Sequence, residues 1–242
     1  MRSRLTPPRL LTALALAASL TLAACGDDEP ASTTTSAADA KVAAGPTEVT
    51  VKSCGAEVSY PRPAKRLFVN DGNMISMALA IGAEKNVAAV SSMQRDAGVL
   101  GKYYGAEKVA VLKQVSKEYP SRETVLAQRP DVVFAGWNYG WDETKKLTPD
   151  GLAKQKIAAY TLTESCRPGD GRARGIVDPW TALRTDLTNL GDITAHENEA
   201  KAAVDRIDTR LKALRDAPQA KKRPVVFLFD SGTKAVYSSG SF

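Results

Sequence analysis

After Asp131 the chain runs Val132-Val133-Phe134-Ala135 without a polar break, and Val225-Val226-Phe227-Leu228-Phe229 has the same texture further on. A strand that is apolar on both faces has to be covered on both faces. Chains meet that demand with a parallel sheet layered between helices. The segments between the apolar runs carry helical periodicity, so the fold class predicted is α/β.

Residues 48–52 and 57–60 alternate in polarity around Ser53-Cys54-Gly55-Ala56, which predicts an opening hairpin. Leu67-Phe68-Val69 reads as a short strand closed by Asn70-Asp71-Gly72. Met74, Met77, Ala78 and Ile81 then recur at helical spacing until Gly82. Val87-Ala88-Ala89-Val90 is the next strand, and residues 109–112 are a weaker one. Ser121 is placed to cap a helix carrying Val125 and Leu126, which Arg129-Pro130 ends. Residues 152–157 read as a helix and 159–162 as a strand. Asp178-Pro179 is a suitable N-cap and first-turn pair for a helix bearing Leu183, Leu187 and Leu190, with Gly191 as its stop. Thr194-Ala195-His196-Glu197 reads as a capping box that opens a charged helix to about Asp216, roughly 30 Å long. Ala235-Val236-Tyr237 is a candidate neighbour of the 225–229 strand. That strand is followed by about thirteen residues, too few to cover it, so 218–242 is expected to be the start of a second α/β lobe that is largely missing.

The N-terminus reads as an address. Arg2, Arg4 and Arg9 precede residues 10–24, which are apolar and uncharged but shorter than the roughly 20 residues of a membrane span. Residues 1–24 are therefore expected to be a signal peptide. Leu22-Ala23-Ala24-Cys25, with Gly26-Asp27-Asp28 behind it, resembles a bacterial lipobox, in which Cys25 becomes the acylated first residue. The alternative is an ordinary secretory signal with an incidental cysteine. Residues 25–46 are too poor in large apolar side chains to build a core and are expected to be a flexible tether. A short Ala-rich helix is opposed there by Pro30 and Thr33-Thr34-Thr35. With Cys25 acylated, Cys54 and Cys166 remain, and outside the cytoplasm they are expected to pair rather than stay as two buried thiols.

Charge excludes little except nucleic acid. Arg2, Arg4 and Arg9 have no acidic companions before Cys25, and removing them lowers the net charge from +6 to +3, which makes no basic patch. His196 is the single histidine, so a metal site built from several imidazoles is excluded and none is expected. Its expected place is a solvated helix end. No G-x-S-x-G, H-E-x-x-H or P-loop occurs, and no catalytic residue or cofactor is assigned.

Three runs carry a likeness. They are Pro63-Ala64-Lys65-Arg66-Leu67-Phe68-Val69, then Ala80-Ile81-Gly82-Ala83, and above all Ser121-Arg122-Glu123-Thr124-Val125-Leu126-Ala127-Gln128-Arg129-Pro130-Asp131-Val132-Val133. With Leu190-Gly191 and Glu197 beyond them, the chain resembles the iron-siderophore, vitamin B12 and haem class of substrate-binding proteins of ABC transporters, over about residues 51–229. The resemblance implies a two-lobed periplasmic-binding-protein fold. Residues 47–177 would be an N-terminal α/β lobe, 178–217 an inter-lobe helical segment, and 218–242 the start of a C-terminal lobe. It implies no enzyme but a membrane-anchored receptor on the extracytoplasmic face, handing an iron chelate to an ABC permease driven by its ATPase. It also implies that Glu123 docks onto the permease; a solvated first-turn carboxylate is the equal alternative.

Ligands of open parallel sheets sit beyond the carboxyl ends of the strands. That places Asn70, Asp71 and Asn73, then Met93, Gln94 and Arg95, then Trp137, Asn138, Tyr139 and Trp141 among the candidates. Glu164 and Tyr119 follow, from the last strand's end and the loop before the Ser121 helix. Aromatic faces beside a cation such as Arg95 suit a bulky anionic chelate, a ferric siderophore first. Trp137 and Trp141 could instead fold back onto the sheet, and Arg95 could simply pair with Asp96. Cobalamin and haem remain open within the class. A secreted α/β hydrolase or an adhesion module is the reading from outside it.

Overall fold

The computed structural model describes residues 47–168, 175–222, 225, 230–231 and 236–237. The expected signal peptide, Cys25, the tether and the strand residues 226–229 lie outside the described residues. Strands β1 (Glu48–Ser53) and β2 (Ala56–Pro61) form the expected hairpin. There follow β3 (Leu67–Asn70), α1 (Gly72–Ala80), β4 (Val87–Ser91), α2 (Ala97–Tyr104), α3 (Ala106–Ala110), β5 (Gln114–Ser116) and α4 (Arg122–Ala127). Next come β6 (Val132–Trp137), β7 (Gly140–Trp141), α5 (Pro149–Ala153), β8 (Ala158–Thr161), α6 (Pro179–Thr194) and α7 (Glu197–Asp216). The backbones of β9 (Asp230–Ser231) and β10 (Val236–Tyr237) pair antiparallel.

The sheet is parallel, in the order β5-β4-β3-β6-β8, with the short β7 set against the end of β6. Its two faces are both dry, as the unbroken apolar runs require. Leu67, Val69, Val132 and Phe134 pack on one side with Met74, Ile75, Leu187 and Leu190. Phe68, Val133 and Ala135 alternate to the other side and meet Val125, Leu147 and Leu152. The hairpin closes over the first face through Tyr60, whose hydroxyl donates to the Ala159 carbonyl (3.0 Å) and whose ring meets Tyr160 edge-on. Burial pushes the Tyr60 hydroxyl up to about 12.

The quoted sequence runs form one junction. The Asp131 carboxylate accepts from the backbone N–H groups of Lys65 (2.7 Å) and Arg66 (3.0 Å), which sets the start of β3 beside β6. The Arg66 guanidinium donates to the carbonyls of Gln128 (2.6 Å) and Arg129 (2.8 Å), so a cation closes the C-terminal end of α4. Ser121 caps the other end, its hydroxyl accepting from Thr124 N–H (3.2 Å).

Four local readings are corrected. The strand expected at 109–112 lies at Gln114–Ser116; Val109 is the half-buried apolar face of α3, a short apolar run that periodicity alone could not assign. The helix expected at 152–157 is Pro149–Ala153, capped by Thr148 and ended by a turn with Lys156 in the left-handed region. Gly191 does not end α6. A Cβ there would stand 2.5 Å from that of Ala200, so this glycine lets α7 approach, and the helix continues to Thr194 with Ala195 as a left-handed cap. No capping box forms at Thr194. Its hydroxyl donates back to the Leu190 carbonyl (2.6 Å), the N-cap of α7 is His196, and Glu197 instead pairs with Arg62. The expected Asp178 cap does form, accepting from Trp180 and Thr181 N–H.

Cys54 and Cys166 are joined, as the cysteine count predicted. The bridge ties the turn of the hairpin to the residue after the 3-10 turn Thr163–Ser165.

Candidate functional site

From β3 the chain moves outward to β4 and β5, then returns across β3 to lay down β6 and β8 on the other side. The strand order therefore reverses between β3 and β6, and a crevice opens beyond their carboxyl ends. Four segments meet there: Asp71 after β3, the β5–α4 loop with Tyr119, the end of β6 with Trp137 and Asn138, and the turn after β8 with Arg167. A cavity of about 440 Å³ is lined by Tyr119, Trp137, Asn138, Asp142, Glu143 and Arg167, among others. Larger hollows of about 750 and 690 Å³ lie against α6 and α7, away from the strand ends.

Trp137 is half-buried and fixed by its backbone N–H, which donates to Ser165 Oγ (3.0 Å). The Arg167 guanidinium lies 4.1 Å from the centre of its ring, within cation–π reach. The opposing wall is Tyr119, whose hydroxyl donates to Asp71 Oδ2 (2.6 Å). Burial first, and then the bond to the Asp71 carboxylate and its charge, push the Tyr119 hydroxyl well above its usual range. Asp71 itself has φ +71° and ψ 148°, a conformation that costs a non-glycine residue strain and collects at functional sites.

One expected ligand contact is corrected, and a second is largely buried. Asn70 is 1% exposed and its amide is fully engaged. Its Nδ2 donates to the Tyr139 carbonyl (2.6 Å) and its Oδ1 accepts from Ser91 Oγ (2.5 Å), so Asn70 positions the rim rather than lining it. Trp141 is 2% exposed, packs with Phe68, Val133 and Leu147, and donates from Nε1 to Thr161 Oγ1 (3.2 Å). It lines the back of the cavity from the core side.

The other candidates surround the cavity. Asn73 is exposed, with Oδ1 taken by Met74 N–H (2.8 Å). Met93 is buried in the core. Gln94 and Arg95 are exposed on the loop after β4, with Arg95 near enough for its charge to act on the Tyr119 hydroxyl. Asn138 is exposed with φ +66°, and Tyr139 is half-buried. Glu164 is half-buried in the 3-10 turn. Glu123 is exposed in the first turn of α4; bonds from its own backbone and Ser121, then Arg122 and Lys146, hold its carboxyl below the usual range. Sequence reasoning missed Asp142, Glu143 and Arg167. Only Arg167 carried a signal, as the neighbour of a cysteine expected to be bridged.

Behind the rim, Asp186 of α6 is 1% exposed. It accepts from Tyr160 Oη (2.8 Å), Thr163 Oγ1 (2.6 Å) and Thr163 N–H (3.2 Å), and so holds the turn that carries Ser165 and leads to Arg167. Burial raises its carboxyl to about 6, against the pull of those bonds. An acid raised on folding contributes stability below its unfolded value, about 4, and loses it as pH rises through about 6. Relative to Asp186→Asn, the native protein is expected to lose about 3 kcal/mol between pH 4 and pH 7. Denaturant melts of both proteins across that range measure it, and a flat difference would refute the raised carboxyl.

The α/β lobe thus carries an aromatic-walled hollow at its strand-order reversal. The periplasmic binding protein family model matches residues 71–241, and the chain belongs to that family. Its members are extracytoplasmic transport binding proteins rather than enzymes. No curated protein matches the sequence. Among solved structures, the chain is similar to an ABC-type Fe3+-hydroxamate transport protein from Saccharomonospora viridis, at 20% identity and TM-score 0.54, covering 70% of this chain and 56% of that one. A periplasmic binding protein from Veillonella parvula matches at 16% identity and TM-score 0.59, over 79% of this chain and 61% of that one. The periplasmic catecholate-siderophore binding protein of Vibrio cholerae matches at 18% identity and TM-score 0.55, over 80% and 61%. The chain thus spans between half and two thirds of the length of these relatives.

Proposed function

We propose that the chain is the N-terminal part of a lipid-anchored solute receptor that captures a ferric siderophore and delivers it to an ABC permease. The observation carrying this reading is the Trp137–Arg167 and Tyr119–Asp71 walls facing one hollow at the sheet's switch point. Rings with adjacent polar groups suit a bulky chelate. The likeness to proteins whose names specify Fe3+-hydroxamate transport and catecholate-siderophore binding agrees with it. In this reading residues 178–217 join the lobes, Cys25 carries the lipid anchor, and Glu123 docks on the permease, offering a carboxylate that stays ionised at neutral pH.

Calorimetric titration of the full-length protein, as its host expresses it, with ferric siderophores, cobalamin and haemin tests the reading. A ferric siderophore is expected to bind saturably, and Trp137→Ala to weaken it about tenfold or more. Binding of cobalamin or haemin alone, or of none of the three, would overturn the proposal.

A further inference from the structure

The charged groups around the hollow that the structure describes already have polar partners. Arg167 lies over Trp137 and 3.9 Å from the Glu143 carboxylate. Lys145 turns its ammonium onto the Tyr119 carbonyl (3.1 Å). The Asp142 carboxylate accepts from Thr144 Oγ1 (2.6 Å), Thr144 N–H (2.8 Å) and Lys145 N–H (3.1 Å). Those bonds hold its carboxyl below the usual range, so its negative charge persists through neutral pH. Asp71 receives the Tyr119 hydroxyl, with the Arg95 charge within reach of the same group. Among the described residues that line the hollow, Asp142 and Glu143 thus outnumber Arg167, so these walls carry no surplus of positive charge. Beside these charges, the described lining offers uncharged surface: the rings of Trp137 and Tyr119 and the amide of Asn138.

A highly charged anion gains from a site of one opposite sign and loses where each approaching charge meets its own kind nearby. Three hydroxamates cancel the charge of Fe3+, whereas three catecholate dianions leave the complex tri-anionic. Resting on the receptor reading above, we infer that this cleft selects ferric chelates of little or no net charge, the tris-hydroxamate class, over tri-anionic tris-catecholates. This replaces the sequence expectation of an anionic chelate drawn by Arg95. The ligand is held by ring contact and hydrogen bonds, and Asp142 and Glu143 act as discriminators against anions.

The test uses the full-length protein with two probes, the neutral cyclic complex ferrioxamine E and the tri-anionic ferric enterobactin, titrated at about 50 and about 500 mM NaCl. The neutral complex is expected to bind about tenfold or more tighter at the lower salt. Its Kd is expected to change less than about twofold between the two salts, because no net charge is neutralised on binding. Asp142→Asn combined with Glu143→Gln is expected to narrow the ratio of the two dissociation constants by about threefold or more. Tighter binding of ferric enterobactin, falling steeply with salt, would overturn this inference and leave the receptor reading standing. Binding of neither complex would remove the receptor reading and the inference with it.

Discussion

Replacing Cys54 and Cys166 together by serine is expected to cost about 4 to 5 kcal/mol of stability. The bridge spans 112 positions of sequence, and cross-linking a loop of about a hundred residues removes roughly that much entropy from the unfolded chain. Little in the folded state offsets the loss. The hairpin is otherwise held by Val51 and Tyr60 in the core, by Tyr60 on Ala159 and Tyr160 of the sheet, and by Asn189 Nδ2 of α6 on the Lys52 carbonyl (3.0 Å). Urea melts of the oxidised native protein and the double variant give the number, and a difference below about 1 kcal/mol would mean that the crosslink does not constrain the chain. The substitution has a second expected readout. Cys166 directly precedes Arg167, so freeing it loosens the cation over Trp137 and changes the indole emission even where the fold persists.

Gly140→Ala is expected to be nearly as costly, at about 3 to 5 kcal/mol. Gly140 has φ +118°, where an L side chain is strained by about 1 to 3 kcal/mol. A Cβ there would stand 2.6 Å from Asn70 Nδ2 and 3.1 Å from the Ala135 Cβ. Asn70 would have to leave its bonds to Tyr139 and Ser91, and buried polar groups left unpaired cost about 1 to 3 kcal/mol. Combining Gly140→Ala with Asn70→Ala should relieve the clash, so the two losses should fall short of additive. Strict additivity, or a loss below about 1 kcal/mol for the glycine change alone, would show that the rim does not depend on this contact.

The sheet was legible because its signals are local. Unbroken apolar runs report two covered faces, and Ser121 reports a helix start whose partner, Thr124, sits three residues on. Illegible were the features decided by packing between distant elements. Gly191 read as a helix stop because a glycine needed for close approach and one needed for chain reversal look alike in sequence; Ala200 tells them apart. The burial of Trp141 was hidden because nothing local says that its indole N–H finds Thr161 inside the core. Asn70 looked like an available amide until both of its ends proved occupied. The hollow lies where strand ends put it, which follows from topology, while its charged lining comes from turns after β7 and β8 that carry no periodicity.

The seam between α6 and α7 is tightest at Gly191 and Ala200 and loosens toward the end of α7, past the Arg184–Asp208 pair (2.7 Å). Ala200 and Ala203 are the buried residues of α7, and from Lys212 onward the helix is exposed. About 7 Å of rod, its last five residues at 1.5 Å each, therefore projects from a clamped root. Mechanically it is a cantilever: a load at its tip bends the shaft or twists the root at Gly191, and the root is packed too closely to twist cheaply.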